Sequence, residues 1–77
     1  MTQKINYIES NKELAINLRR ARENAGLTQS SASSAIGSNR SCLAYYELGR
    51  STPTIFTLIK LSMVYNVGLL YLLVRKK

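Results

Sequence analysis

The chain is punctuated at short, regular intervals by residues that start and stop helices, and this leaves room for little except a string of short helices. Ser10, Thr28, Asn39 and Thr54 each stand just ahead of an apolar-periodic run. There a side-chain oxygen can accept from an N–H that has no partner inside the first helical turn. Gly26, Gly37, Gly49 and Asn66 each follow such a run, where a left-handed residue ends a helix and satisfies its last carbonyls.

Read between these marks, the spacing predicts five helices and no strand, linker or repeat. Ser10-Asn11-Lys12-Glu13 has the form of a capping box, with Ser10 accepting from the N–H three residues on and Glu13 reaching back. The first helix then carries Leu14, Leu18, Ala21 and Ala25 as one apolar stripe. A second helix over 29–36 is expected to bury Ala32, Ala35 and Ile36; its many serines make it dependent on packing rather than on propensity. The third covers 40–48, with Leu43, Tyr46 and Glu47 on one side and Ser41, Ala44, Tyr45 and Leu48 on the other. A fourth follows Thr54 with Ile55, Leu58, Ile59, Ser62 and Met63 as its inner stripe, and a fifth runs from 69 to about 74, apolar nearly all round. Residues 1–9 show no clear period and read as an N-terminal extension to a domain of residues 10–77.

Seventy-seven residues allow one small core. Eleven Lys and Arg against four Glu and no Asp give a net charge of +7, which favours a polyanionic partner. The lone Cys42 rules out an intramolecular disulfide, and with no His or Asp the usual zinc and general-base groupings are missing. These points argue against an enzyme, a metal site or a bound cofactor, and fit a reducing cytoplasm. The N-terminus lacks the apolar stretch of a secretory signal. Residues 54–74 carry one charge, Lys60, and precede Arg75-Lys76-Lys77, which raises the question of a membrane span. Lys60 would cost about 2.5–3.5 kcal/mol at mid-bilayer, and Asn66 and Gly68 interrupt the run. Membrane attachment is therefore the disfavoured reading.

From Leu14 onward, Arg22, Gly26-Leu27-Thr28-Gln29, Gly37, Arg40-Ser41, Glu47-x-Gly49, Pro53, Leu58 and Val67 stand in a register that resembles the lambda-repressor-like (Cro/XRE) helix-turn-helix family over about three quarters of the chain. The resemblance implies a compact all-α, five-helix domain whose helix-turn-helix spans about residues 28–48. Its second helix lies across the DNA backbone and its third enters the major groove. It makes Arg40, Ser41, Ala44 and Tyr45 the base-reading positions, with Arg40 the principal one, because a guanidinium pairs bidentately with guanine O6 and N7. Gln29 would bond a phosphate and brace the first reading residue, with further backbone contacts from Asn39, Arg50, Ser51 and Thr52. Arg22 and Glu47 match a structural ion pair between the first and third helices.

The chain departs from the family pattern in Ala32, Ser33 and Ser38, each smaller or more polar than usual, which implies a thin core around the second helix. Leu70 and Tyr71 replace acidic residues of the fifth helix, so some apolar surface must stay outside; they are the dimer candidates. The expected function is a sequence-specific transcriptional regulator, a repressor binding palindromic double-stranded DNA as a homodimer. Two alternatives stay open: an antitoxin-type autoregulator with a toxin partner, and a membrane-attached or protein-interaction module using the apolar C-terminus.

Overall fold

A computed structural model describes residues 6–75. Five helices follow one another: α1 (Asn11–Asn24), α2 (Gln29–Ala35), α3 (Arg40–Leu48), α4 (Ile55–Val64) and α5 (Leu69–Leu73). The punctuating residues act as their chemistry dictates. The side chains of Ser10, Thr28, Asn39 and Thr54 accept from the backbone N–H groups of Glu13, Ser31, Cys42 and Thr57. Gly26, Gly37, Gly49 and Asn66 take positive φ just beyond the helices they end. The expected capping box at α1 is only half made, because Glu13 Oε1 accepts from the N–H of Glu9 at 2.7 Å rather than from that of Ser10.

α1 lies at the centre, packed on α3 and α5, while α4 packs on α2 and α5. The core joins Leu14, Leu18 and Ala21 of α1 to Ala32, Ile36, Leu43, Leu58, Leu61, Tyr65 and Leu72. Ala32 is fully buried and Ser33 is buried with its hydroxyl donating to the Ser30 carbonyl, so the small residues of α2 let the helices approach closely.

Three inner faces differ from the sequence reading. Ala25 is exposed because it is the C-cap of α1, and Ala35 points outward while Ser33 takes its place inside. The largest change is in α4: Leu58, Leu61, Ser62 and Tyr65 face the core, and Ile55, Ile59 and Met63 lie outside. Both sets have helical spacing in a helix that is apolar on most sides, so periodicity cannot choose between them. The core contributed by the other helices accepts Leu61 and Tyr65, 0% and 3% exposed, and this fit selects the rotation. None of the helices among the described residues is long and apolar enough to cross a membrane.

The chain ends, which carry no readable period, are joined by hydrogen bonds. Tyr7 and Val74 form an isolated antiparallel bridge, the N–H of Ile8 donates to Leu73 at 2.9 Å, and that of Arg75 to Asn6 at 2.7 Å. This bridge is an addition to the all-helical expectation. Asn17, 2% exposed, stands behind it and donates from Nδ2 to the carbonyls of Leu72 at 2.8 Å and Val74 at 2.9 Å. A helix C-terminus leaves carbonyls without partners. One amide from α1 supplies them for the short α5. Arg75 bonds Glu9 and Glu13 across the same seam.

Asn17→Leu keeps the branched shape but strands those two carbonyls, and at about 1–3 kcal/mol per unsatisfied buried group the loss should be about 2–4 kcal/mol. Urea denaturation followed by circular dichroism measures it; a change under about 0.5 kcal/mol would remove Asn17 as the α5 anchor. The Glu9 N–H and the Arg75 guanidinium hold the Glu13 carboxyl below the usual carboxylate range. A depressed carboxylate stabilises the fold above its unfolded pKa and loses that contribution as pH falls through the folded value. The urea midpoint should therefore drop from pH 5 toward pH 3 more in the wild type than in Glu13→Gln.

Candidate nucleic-acid interface

The angle between α2 and α3 is set by a short turn in which Gly37 has φ +72°, open to a residue without a Cβ, and Asn39 Oδ1 accepts from the N–H of Cys42 at 2.8 Å. Leu43, fully buried, fixes the rotation of α3 about its axis. At 100° per residue, Arg40, Ser41, Ala44, Tyr45 and Leu48 then occupy an arc of about 140° on the opposite side. Arg40, Ser41, Tyr45 and Leu48 are exposed and Ala44 is half-buried. The four residues assigned by resemblance to base reading thus share one outward face. Cys42 is half-buried beside Tyr46, whose hydroxyl it holds above the usual tyrosine range.

The inner side of α3 carries a charge that three helices share. Glu47 accepts from Arg22 Nε at 2.7 Å and from Arg22 Nη2 at 3.0 Å, a bidentate pair whose side chains are 3% and 11% exposed respectively. Gln29 Nε2 adds a third bond to Glu47 at 3.0 Å, and Arg22 Nη1 donates to the Leu27 carbonyl at 2.7 Å. α1, α2 and α3 are thereby tied at one carboxylate. The bond to Glu47 raises the Arg22 pKa further. Buried Tyr65 extends the same neighbourhood; burial above all, with the Glu47 charge, pushes its phenol far above the usual range, and its Oη has no hydrogen-bond partner among the described residues.

This geometry alters the part played by Gln29. One N–H of its amide nitrogen donates to Glu47 and not to the first residue of α3, so it braces the third helix through the carboxylate while a second N–H is left for another acceptor. Arg22, Leu27, Thr28, Gln29, Ser30 and Arg40 line an open cleft of about 550 Å³ where α2 and α3 both begin. Arg50, Ser51 and Thr52 follow the far end of α3; Arg50 and Thr52 are exposed, Ser51 is half-buried, and the N–H of Arg50 caps Tyr45 at 3.0 Å. Leu70 and Tyr71 are both exposed on α5.

Charge is partitioned in a simple way. All four glutamates are paired within the chain: Glu9 and Glu13 with Arg75, Glu23 with Arg19, and Glu47 with Arg22. The guanidinium groups of Arg40 and Arg50, one at each end of α3, have no ion pair among the described residues. Neither do Lys12, Arg20 and Lys60. Nor do the described residues hold a cluster of three or more His, Cys, Asp or Glu able to bind a metal ion. Sequence reasoning missed Asn17 and Tyr65, whose only mark is a polar group on an otherwise apolar stripe.

Residues 18–72 match the family model described as helix-turn-helix, HTH_3. The chain belongs to the HTH_3 helix-turn-helix family. This is a family of DNA-binding transcriptional regulators, and its matched segment contains α2, α3 and every residue of the outward α3 face. No curated protein matches the chain. Among solved structures, a hypothetical transcription factor from Neisseria, NHTF, superposes with a TM-score of 0.80 at 22% identity, covering 96% of this chain and 88% of that one. The restriction-modification controller protein C.AhdI from Aeromonas hydrophila gives 0.77 at 22%, covering 80% and 90%. Hydroxypropylphosphonic acid epoxidase from S. wedmorenis also gives 0.77, at 20% identity, but the HTH_3 chain spans only 34% of its length. The same fold therefore occurs within an enzyme, and the shape alone does not assign an activity.

Replacing Glu47 by Gln should strand the buried Arg22 guanidinium and cost about 3–5 kcal/mol. Tyr65→Phe, which removes a buried hydroxyl without a protein partner, should leave stability unchanged or slightly raised. Paired urea titrations check both, and a Glu47→Gln loss below about 1 kcal/mol would mean that the pair is not what joins the helices.

Proposed function

We propose that this HTH_3 protein is a transcriptional repressor that binds a palindromic operator as a homodimer in the cytoplasm, inserting the N-terminal half of α3 into the major groove. One observation carries the reading: Arg40, Ser41, Ala44 and Tyr45 share an outward face of α3, with the Arg40 guanidinium free of ion pairs among the described residues and Arg22, Gln29 and Glu47 holding the helix from behind. A reading side chain must be presented in a fixed orientation, unneutralised, on a rigid element. Arg40 bonds guanine bidentately, Ser41 and Tyr45 reach base edges or the flanking phosphates, and Ala44 meets a thymine methyl.

Backbone contacts come from Gln29 and Asn39 at one end of the helix-turn-helix and from Arg50, Ser51 and Thr52 at the other. Occupation of the operator blocks transcription. Two exposed apolar side chains of α5, Leu70 and Tyr71, support pairing of two copies, as a palindrome requires. C.AhdI controls restriction-modification, and a role of that kind is compatible with these features.

Selection of bound duplexes from a random pool, followed by titration against single-base variants, tests this reading. Arg40→Ala should cost about 1–3 kcal/mol on the selected site and relax preference at one base pair. Gln29→Ala should weaken all sequences alike, because a phosphate carries no sequence information. Wild-type affinity should fall with salt at a log-log slope of about −0.9 per phosphate neutralised. A flat salt response, or a uniform loss across the panel for Arg40→Ala, would overturn the assignment.

A further inference from the structure

Ile55, Phe56, Ile59 and Met63 on the outer side of α4 are 48, 74, 41 and 75% exposed. At 100° per residue they fall within an arc of about 100°, beside the arc that Leu58, Leu61, Ser62 and Tyr65 bury. Single exposed apolar residues are ordinary on a soluble protein, but four on one helical face are not. Ile55, Ile59 and Met63 step four residues apart and make one i±4 ridge, the kind that interdigitates with another such ridge in the commonest helix packing. The ridge is symmetric about Ile59.

We propose that this ridge receives a second copy of the chain, α4 against α4, antiparallel across a two-fold axis at Ile59. The proposal rests on the homodimer reading above and gives that dimer its contact surface. Ile59 meets its own equivalent and Ile55 meets Met63 of the other copy, in both directions, so one sequence pattern supplies the self-complementarity that a two-fold interface demands. With full areas on the order of 200 Å² per large apolar side chain, the four residues expose roughly 480 Å² per copy, about 960 Å² over two copies, the size of a weak and reversible contact between copies.

The charge pattern gives the contact a signature. Lys60 lies one position round from Ile59, and neither α4 nor α5 contains an acidic residue. Two Lys60 side chains therefore approach at the rim with nothing to neutralise them, so added salt should strengthen self-association. DNA binding changes with salt in the opposite direction.

The test is sedimentation equilibrium of the full chain without DNA at about 0.1 and 0.5 M salt. A monomer–dimer equilibrium that tightens with salt is expected. Met63→Glu and Ile59→Glu, both at exposed positions, should raise the dissociation constant at least about tenfold, whereas Ile16→Glu at a half-exposed site on α1 should leave it unchanged. In a Cys42→Ser background, Ile59→Cys should form a covalent dimer under mild oxidation, since a residue on the axis lies within disulfide reach of its own equivalent; this arm holds even if a glutamate variant fails to fold. Wild type that stays monomeric at all concentrations overturns both this proposal and the homodimer reading. α4 variants that keep the wild-type dissociation constant while Leu70→Glu dissociates overturn the ridge alone and move the contact to α5.

Discussion

The carboxylate of Glu47 is the point on which the arrangement of the helix-turn-helix depends. It receives two bonds from Arg22 and one from Gln29, and its side chain is almost wholly out of water. An ion pair in that position repays its desolvation only when the geometry is bidentate and the remaining lone pairs are used. Both conditions hold here. The result is directional in a way that apolar packing is not: Leu43 fixes which side of α3 is inward, and Glu47, one turn further along, fixes how far the helix can slide or roll against α1 and α2. Everything outward on α3 inherits its position from that anchor.

Much of this was legible in the sequence because it is written in local chemistry. A cap needs Ser, Thr or Asn, a left-handed stop needs Gly or Asn, and the intervals between them set the helix bounds almost residue for residue. The outward face of α3 was legible for the same reason, since a single large apolar residue, Leu43, settles the rotation. Where two rotations satisfy the period equally well, local chemistry is silent. α4 offers Ile55, Ile59 and Met63 on one side and Leu58, Leu61 and Tyr65 on another, and only the shape of the surrounding core distinguishes them. With Ile55, Ile59 and Met63 read as inward, the sequence offers no partner surface on α4, and Leu70 and Tyr71 of α5 stand as the dimer candidates.

The junction of the chain ends was invisible for a different reason. Asn17 bonds carbonyls fifty-five and fifty-seven residues away, and Arg75 reaches Glu9 and Glu13 across a comparable span. No window along the sequence contains both partners. Their effect is to close a helix of five residues, too short to persist alone, onto α1. Fixing α5 in turn fixes the side of α4 that it covers, and so the side of α4 left open to solvent.

The two surfaces of the molecule are then coupled by charge. With every glutamate paired inside the chain, Lys12, Arg20, Arg40, Arg50 and Lys60 stand exposed among the described residues with no ion pair to offset their charge. Two free copies therefore repel as they approach, and an apolar ridge has to overcome that repulsion unaided. On the proposed operator, phosphates would neutralise these side chains and the repulsion would fall. Linkage makes the relation reciprocal: if DNA favours pairing of the copies, pairing favours DNA by the same factor. In the proposed dimer, a modest contact on α4 that is already measurable between free copies would thus suffice, with the operator tightening it further.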